Sequence, residues 1–512
     1  MIERALLSVY DKTGLDAFAR GLADLGVELV ASGGTAAFIE EHELGVTLVE
    51  ELTGVGELLG GRVKTLHPHV HAAILARSDH AEDAAALGEL GIRPFQLVCV
   101  NLYPFSQIAW RRGVTEEEAV EMIDVGGPAM LRAAAKNFAH VTPVCRPDQY
   151  AGVIAELQER GELSLDTRRR LAADAFSTTA AYEAAIAGWL SEGEAAPPSL
   201  TVSVEKVVDL AYGENPHQRA ALYAEVGARR HVLSRVEQLQ GDALSFNNLA
   251  DLSAARAVSE EFAVPACVIV KHTSPCGVAL GGTVDEAYVR AHDADPVSAY
   301  GGVVVCNRPV TGALAAMIAE HFVEVLFAPG YDDEARASLS GKPSTRVLLA
   351  TERRHSSPGE RDYRRVLGGL LVQDLDVDVE DRAAMHIVCG EPTEEDWGDL
   401  LFAWRVCKHV SSNAIVLSRG LQTIGVGAGQ TSRVDAVRIA LEKAQELEHD
   451  CRGAVMASDA FFPFADGPRL ALDAGVRSII QPGGSKRDGE VIAAVEAAEA
   501  AMIFTGRRHF RH

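Results

Sequence analysis

RALLSVYDKTGLDAFARGLADLGVELVASGGT, residues 4–35, decides how this chain folds. RALLSV (4–9) is a short apolar run and a strand candidate. Leu15, Phe18, Leu22 and Leu25 then recur at three- and four-residue spacing, one face of a helix. VELVAS (27–32) is a second strand, and SGGT (32–35) opens a second helix. LVCVN (97–101) and HVTPVC (140–145) continue the series. Such alternation implies a parallel sheet covered by helices, with ligands beyond the carboxyl ends of the strands. SVYDKTG (8–14) and SGGT both pass from strand to helix and carry Ser, Thr or Lys at the turn. The free N–H groups of a helix N-terminus bind phosphate, or the hydroxyls simply cap them. Two such turns in consecutive units favour phosphate. No G-x-x-x-x-G-K-[ST] occurs, so neither is a nucleoside triphosphate loop.

The chain has 512 residues, which implies more than one domain. Hydrophobic residues make up 47% and charged residues 23%, a globular composition. A formal net charge of -24 argues against a nucleic-acid surface. Clustered lysines and arginines can still hold a small anion locally. MIERALLSVY lacks the pattern of a secretory leader, and no run approaches the roughly 18 apolar residues of a spanning helix. Cysteines 99, 145, 267, 276, 306, 389, 407 and 451 are scattered without a C-x-x-C pair. They read as reduced, mostly buried thiols, and the expected compartment is the cytoplasm. SEGEAAPPSLTVS (191–203), with two prolines and no periodicity, is the best boundary. The expected division is a first domain over 1–195, a linker over 196–203 and a second α/β domain over 204–512.

Several stretches carry chemistry-bearing residues. GRVKTLHPHVH (61–71) places His67, His69 and His71 in alternation, which on a strand would share a face. Pro68 interrupts a regular strand, and no Cys, Asp or Glu lies within the stretch to complete a tetrahedral metal set. Arg62, Lys64 and Thr65 read instead as anion-binding loop groups. NLYPF (101–105), IDVGGPAM (123–130) and RAAAKN (132–137) place Tyr103 and Asp124 after apolar runs and Lys136 at the end of a helix-like segment. IGVGAGQTSR (424–433) fails as a dinucleotide fingerprint, because Gln430 stands where Gly or Ala belongs. SDAFFPFADG (458–467) offers either core aromatics or a wall for a planar heterocycle. In CVIVKHTSPCGVAL (267–280) a buried strand delivers Lys271 and His272, and Pro275 and Gly277 are expected to stop it. A zinc deaminase needs H-x-E and a later P-C-x-x-C. Position 279 is alanine, so that chemistry is disfavoured. A histidine able to move protons near neutrality beside a charge-stabilising lysine remains.

Taken in order, SVYDKTG, SGGT, GRVKTLHP, NLYPF, IDVGG, RAAAKN, YGENPHQ (212–218), LSFNNL (244–249), KHTSPCG, DPVSAYGG (295–302), SSNAI (411–415), GAGQTSR, SDAFFPF and the terminal RHF resemble one family across essentially the whole chain. It is the bifunctional family of late purine synthesis, aminoimidazole carboxamide ribonucleotide (AICAR) formyltransferase / inosine monophosphate (IMP) cyclohydrolase. The resemblance implies an α/β fold: an N-terminal methylglyoxal-synthase-like doubly wound domain, then a transformylase of cytidine-deaminase-like subdomains without catalytic zinc. It implies 10-formyltetrahydrofolate as co-substrate, no catalytic metal, and a homodimer with the transformylase site at the subunit interface.

It also implies roles. Lys271 and His272 form the transformylase pair, with His272 as general base and Lys271 protonating the departing folate nitrogen or stabilising charge. Asn413 donates to the formyl oxygen or orients the carboxamide. Phe461 and Asp466 match the folate side, and Tyr212, Glu324, Arg433 and Arg508 the nucleotide or carboxamide. In the cyclohydrolase, Ser8, Lys12, Ser32, Gly34 and Thr35 match the phosphate and ribose cradle. Arg62, Lys64, Thr65, Tyr103, Asp124 and Lys136 match the reaction site. Lys136 and Asp124 are expected to handle protons, with Lys64 and Tyr103 holding the oxygen. Departures are Tyr10 for serine, Ser411 for lysine, Tyr300 for phenylalanine, and Ala211 where the family usually has a phosphate-binding arginine. Arg508 and Arg219 are candidates to replace that cation. A nucleotide-binding regulator that lost chemistry is the rival reading, supported by Ala211 alone.

Overall fold

In the computed structural model the opening stretch forms two βα units: β1 (Arg4–Val9), the helix Leu15–Asp24, β2 (Glu28–Ala31) and the helix Gly33–Glu41. Residues 2–111, 113–194, 196–226, 231–351 and 360–512 are described; Ala195, the expected end of the first domain, lies outside them. The chain divides into two compact units, Met1–Glu205 with Glu225–Gly227, and Lys206–Ala224 with Ala228–His512.

The first unit adds β3 (Thr47–Leu48), β4 (Leu97–Asn101) and β5 (Thr142–Val144), giving a sheet in the order β3-β2-β1-β4-β5. Every pairing is parallel. Side chains alternate across a strand. Ala5, Leu7 and Val9 therefore join one core with Leu15, Phe18 and Leu22, while Leu6 joins the opposite core with Met130 and Leu131. The strand order reverses between β1 and β4, and ligands enter a doubly wound sheet at that switch point.

The second unit continues with β6 (Val204–Leu210) and β7 (Ala220–Glu225), a two-stranded pair. A mixed six-stranded sheet follows: β8 (Glu237–Gln240), β9 (Ala266–Lys271), β10 (Ser274–Leu280), β11 (Gly302–Cys306), β12 (Val323–Ala328) and β13 (Arg346–Leu349), in the order β10-β9-β11-β12-β13-β8. The strands β14 (Arg361–Val366) and β15 (Gly369–Asp374) form a hairpin. A second six-stranded sheet holds β16 (His386–Cys389), β17 (Ile415–Ser418), β18 (Thr423–Gly427), β19 (Val455–Ser458), β20 (Ser478–Gln481) and β21 (Ala501–Phe504), in the order β16-β21-β20-β19-β17-β18. One apolar core joins the two sheets through the helices Phe246–Glu260 and Glu394–Cys407. All eight cysteines are free, and most are buried. No described helix is long and apolar enough to cross a membrane.

Two local expectations are corrected. Pro275 and Gly277 do not stop the strand; the turn comes earlier, at His272–Thr273, and both residues lie inside β10. β10 is an edge strand of its sheet, where a missing N–H is tolerated, and the register shifts between Pro275 and Gly277. His67, His69 and His71 do not lie on a strand either. His67 caps the helix Pro68–Leu75 by accepting the His69 N–H at 3.1 Å, and Pro68 takes the first helical position, where its missing N–H costs nothing.

Gly277 lies under the helix Val284–Ala294, where a Cβ would collide with the carbonyl of Ala291 and come 3.2 Å from Ala294 Cβ. Gly277→Ala should cost about 1–3 kcal/mol by overpacking, whereas Gly152→Ala, on an open helix surface with nothing within 4 Å, should gain up to about 1 kcal/mol. Urea midpoints measure both; equal effects would contradict the close packing at β10.

Candidate active sites

The loops at the carboxyl ends of β1, β2 and β4 enclose a cavity of about 620 Å³ in the first unit. Ser8, Lys12, Ser32, Gly34, Thr35, Arg62, Lys64, Thr65, Tyr103 and Asp124 all line it. Thr35 is a buried clamp as well as a wall. Its hydroxyl accepts the Val9 N–H at 3.0 Å and donates to Val9 O at 3.1 Å, tying the end of β1 to the start of the helix that follows β2. Lys12 Nζ reaches Val9 O and, at 3.3 Å, Thr35 Oγ1. Burial, then the charge of Lys64, lowers the pKa of Lys12, while Asp11 opposes the shift. The two ammonium groups therefore share one field that favours an anion between them.

Asp124 sits at the N-terminus of the helix Gly126–Lys136 and accepts the Gly127 N–H at 2.8 Å. Burial raises its pKa; the bond from Gly127 and the charge of Lys64 oppose the shift. Lys64 thus acts electrostatically on both Lys12 and Asp124. Glycine is required at 126 and 127, because a Cβ would lie 2.7 Å from Thr65 Oγ1 at the first and collide with the Asp124 carboxylate at the second. From behind, Tyr182 accepts the Asp124 N–H at 2.7 Å and donates to Met122 O at 2.9 Å. Burial pushes the Tyr182 phenol up to about 12, so it remains a neutral hydrogen-bonding strut.

Lys136 is the exception. It ends the same helix, exposed, ten residues beyond Gly126, or about 15 Å at the helical rise. It does not line the cavity formed by this single chain. Sequence reading also missed lining residues. Glu57 faces Lys64 at 3.4 Å, and Glu121 pairs with Arg62. Asn101 Oδ1 accepts the N–H groups of Tyr10 and Asp11 at 2.5 and 3.0 Å, and the Tyr10 ring meets Tyr103 edge-on at 5.4 Å. Glu57 and Glu121 carried no motif; only folding puts them opposite the cations.

In the second unit Lys271 and His272 end β9 and begin a two-residue hairpin, with Lys271 opposite Ser274. His272 and Thr273 have φ of 52° and 60°. A two-residue turn of type I′ needs positive φ at both positions, normally supplied by Asn-Gly. For residues with side chains such geometry costs on the order of 1–3 kcal/mol each. Lys271 Nζ donates to Tyr300 O at 2.7 Å. Asp251, on the helix Phe246–Glu260, accepts the N–H groups of His272 and Thr273. Glu324, on β12, lies near enough for its charge to act on Asp251 and pairs with Arg346 at 3.7 Å. The backbone of Tyr212 accepts the Phe246 N–H at 3.1 Å, so it flanks the start of the same helix.

The other candidates gather on the second sheet. Asn413 Nδ2 donates to Gln430 O at 2.8 Å, and its Oδ1 accepts Arg433 Nη2 at 2.7 Å. Arg433 is buried and also holds Ser458 Oγ at 2.8 Å and the carboxylate of Asp459. Asp459 in turn accepts Ser412 Oγ at 2.6 Å. Arg433 thus orients Asn413 and is anchored by Asp459 in this chain. Phe461 is exposed beside the N-terminus of the helix Asp466–Asp473, where Asp466 accepts the Gly467 N–H at 2.8 Å. Arg508 lies over the Phe510 ring at 4.6 Å, and Arg219 is exposed. Among the described residues no three His, Cys, Asp or Glu gather as a metal site.

A doubly wound unit with a cation-lined crevice, followed by a mixed α/β unit presenting Lys-His on a strained hairpin, defines an α/β enzyme with two separate polar sites. A family model described as an AICARFT/IMPCHase bienzyme matches residues 134–443, and one described as an MGS-like domain matches 14–129. The bifunctional purine biosynthesis protein PurH of Magnetococcus marinus is 48% identical over 529 residues, covering 100% of this chain and 99% of its own. Its namesake in Acidithiobacillus ferrooxidans is 48% identical over 519 residues, with 100% and 99% covered. That of Bacillus cereus strain AH187 is 45% identical over 515 residues, with 100% of both chains covered. The chain belongs to the AICARFT/IMPCHase bienzyme family.

The raised pKa of Asp124 fixes a pH dependence. A carboxyl that holds its proton more tightly folded than unfolded opposes folding increasingly as pH rises from its unfolded pKa, about 4, through its folded value. Asp124→Asn keeps an acceptor for Gly127 and removes this term. The mutant should therefore gain stability relative to wild type as pH rises from 4 to 7, read from paired urea midpoints. A constant difference would contradict a carboxylate desolvated in the cavity wall.

Proposed function

We propose that the chain performs the last two steps of IMP synthesis, one on each unit. The observation that carries the reading is the convergence of the expected cyclohydrolase residues, all but Lys136, on one cavity at the switch point of the first sheet. Ser8, Lys12, Ser32, Gly34 and Thr35 hold the phosphate and ribose of formyl-AICAR near the helix N-terminus at Gly33. The carboxamide nitrogen adds to the formyl carbon, and its proton leaves as the carbonyl oxygen becomes a hydroxyl. Lys64 and Tyr103 stabilise the developing oxyanion. Asp124, backed by Tyr182, passes the protons that release water and leave IMP.

In the second unit the donor is 10-formyltetrahydrofolate. The AICAR amine attacks its formyl carbon, a C–N bond forms, and the bond to folate N10 breaks. His272 takes the proton that the amine loses, and Lys271 supplies or stabilises the one that N10 gains. Asn413, fixed by Arg433, faces the formyl oxygen or the carboxamide. Phe461 lies against the pterin, and Asp466 binds its amino-pyrimidine edge. Neither reaction calls on a metal.

Lys271 ends β9 of one sheet with His272 just after it, whereas Asn413 precedes β17 and Phe461 and Asp466 follow β19 of the other. We propose a homodimer in which the two groups face each other across the subunit interface. The chain acts in the cytoplasm on small molecules, without nucleic acid or membrane as partner.

His272→Ala should abolish tetrahydrofolate release from AICAR and 10-formyltetrahydrofolate yet leave cyclisation of supplied formyl-AICAR intact. Lys64→Ala should do the reverse. Parallel loss of both activities in either variant would sink the two-site reading, and a wild-type chain that binds AICAR without turnover would favour the regulator. Unfolding and refolding His272→Ala together with Asn413→Ala should restore about a quarter of wild-type transfer, because half the symmetric dimers are mixed and each carries one intact site. No recovery in a mixture shown to exchange subunits would place the site within one chain.

A further inference from the structure

We infer that Asp251 is the positioning residue of the formyl-transfer site: its carboxylate fixes the left-handed turn that aims His272. The inference rests on the reading that this unit transfers a formyl group. β9 and β10 leave only His272 and Thr273 between the paired residues Lys271 and Ser274, and both have positive φ. Histidine enters that region more readily than most residues, but a β-branched threonine there is an outlier. The turn is held from outside the hairpin. Asp251 Oδ2 accepts the His272 N–H at 3.3 Å, and Oδ1 accepts the Thr273 N–H at 2.6 Å. Thr273 Oγ1 folds back on His272 O at 2.7 Å, which closes the turn from the other side.

The carboxylate presents a separate oxygen to each amide, whereas an asparagine would have to hold both on one oxygen or turn its NH₂ toward one of them. Asp251 projects from the helix Phe246–Glu260, which packs on β9, so the geometry of the hairpin tip is set by that helix. Lys271 has a separate anchor, Tyr300 O at 2.7 Å. The pair is therefore braced from two sides, and its two members can be perturbed independently. Burial raises the Asp251 pKa against the two amide bonds, in line with a carboxylate enclosed behind the turn.

The test uses the full chain and its two activities. Asp251→Ala and Asp251→Asn should lower kcat for formyl transfer by about 10- to 150-fold, the loss of a hydrogen bond to a charged group. The KM for AICAR and the cyclisation of supplied formyl-AICAR should stay close to wild type. Adding Thr273→Gly to Asp251→Ala should recover most of the lost rate, because glycine takes positive φ without cost. Deuterium uptake across residues 267–280 should rise in Asp251→Ala and owes nothing to activity.

Wild-type kcat in Asp251→Ala would overturn the inference, and so would loss of both activities. Failure of Thr273→Gly to rescue would also overturn it, by showing that Asp251 acts through its charge rather than the turn. Absence of formyl transfer in the wild-type chain would count against the proposed function. The exchange measurement would still judge the turn, and unchanged uptake in Asp251→Ala would reject it.

Discussion

A strand buried on both faces cannot stand without a helix on each, and β1 is such a strand, with only Ser8 partly exposed. Parallel pairing on both sides then sends its neighbours' connections to opposite faces. The crevice between the ends of β1 and β4 follows from that constraint. So does its chemistry, because the chain leaves each strand end by starting a helix, and helix N-termini favour anions. Lys12, Lys64 and Arg62 add fixed charge to a crevice the sheet order had already opened. The glycines at 126 and 127 let Thr65 and Asp124 close on the third helix N-terminus.

The second unit meets a different constraint. Its two sheets share one core, so the helices and the hairpin between them pack at short range. Gly277, Gly425 and Gly427 each lie against a helix carbonyl that leaves no room for a Cβ. This tight packing supports backbone geometry that isolated sequence would avoid. A hairpin turning on His-Thr instead of Asn-Gly is tolerable because a half-buried carboxylate, fixed on a packed helix, accepts both of its loop amides. The Arg433–Asp459 pair is used in the same way. Taking it out of water is costly unless its bonds are complete, and Ser458, Ser412 and Asn413 complete them.

Much of the first site was legible because its residues come in short runs just after apolar strands. Ser8 sits at the end of β1 and Lys12 follows it, Ser32 through Thr35 follow β2, and Tyr103 follows β4. Lys136 lies apart from the cavity for a geometric reason: sequence adjacency to a motif says nothing about which end of an eleven-residue helix faces it. Glu121 and Asp251 were invisible because each acts through a partner far away in sequence or in the backbone, and Glu57 because the loop to Lys64, seven residues on, has no regular period that would show the two facing. The strand break assigned to Pro275 and Gly277 failed because an edge position excuses the proline and a close helix requires the glycine.

By itself the sequence determined the alternation of strand and helix, the family, and the pair of activities, since apolar period and contiguous motifs are properties of the chain read in order. The tertiary structure alone decided which charges face one another. It set Glu57 against Lys64, turned Arg433 inward to Asn413, and placed Asp251 behind the His272 turn. The physical reason is range. Hydrophobic periodicity is written within a few residues, whereas a hydrogen bond or ion pair is defined only once distant segments are brought within about 3 Å of each other.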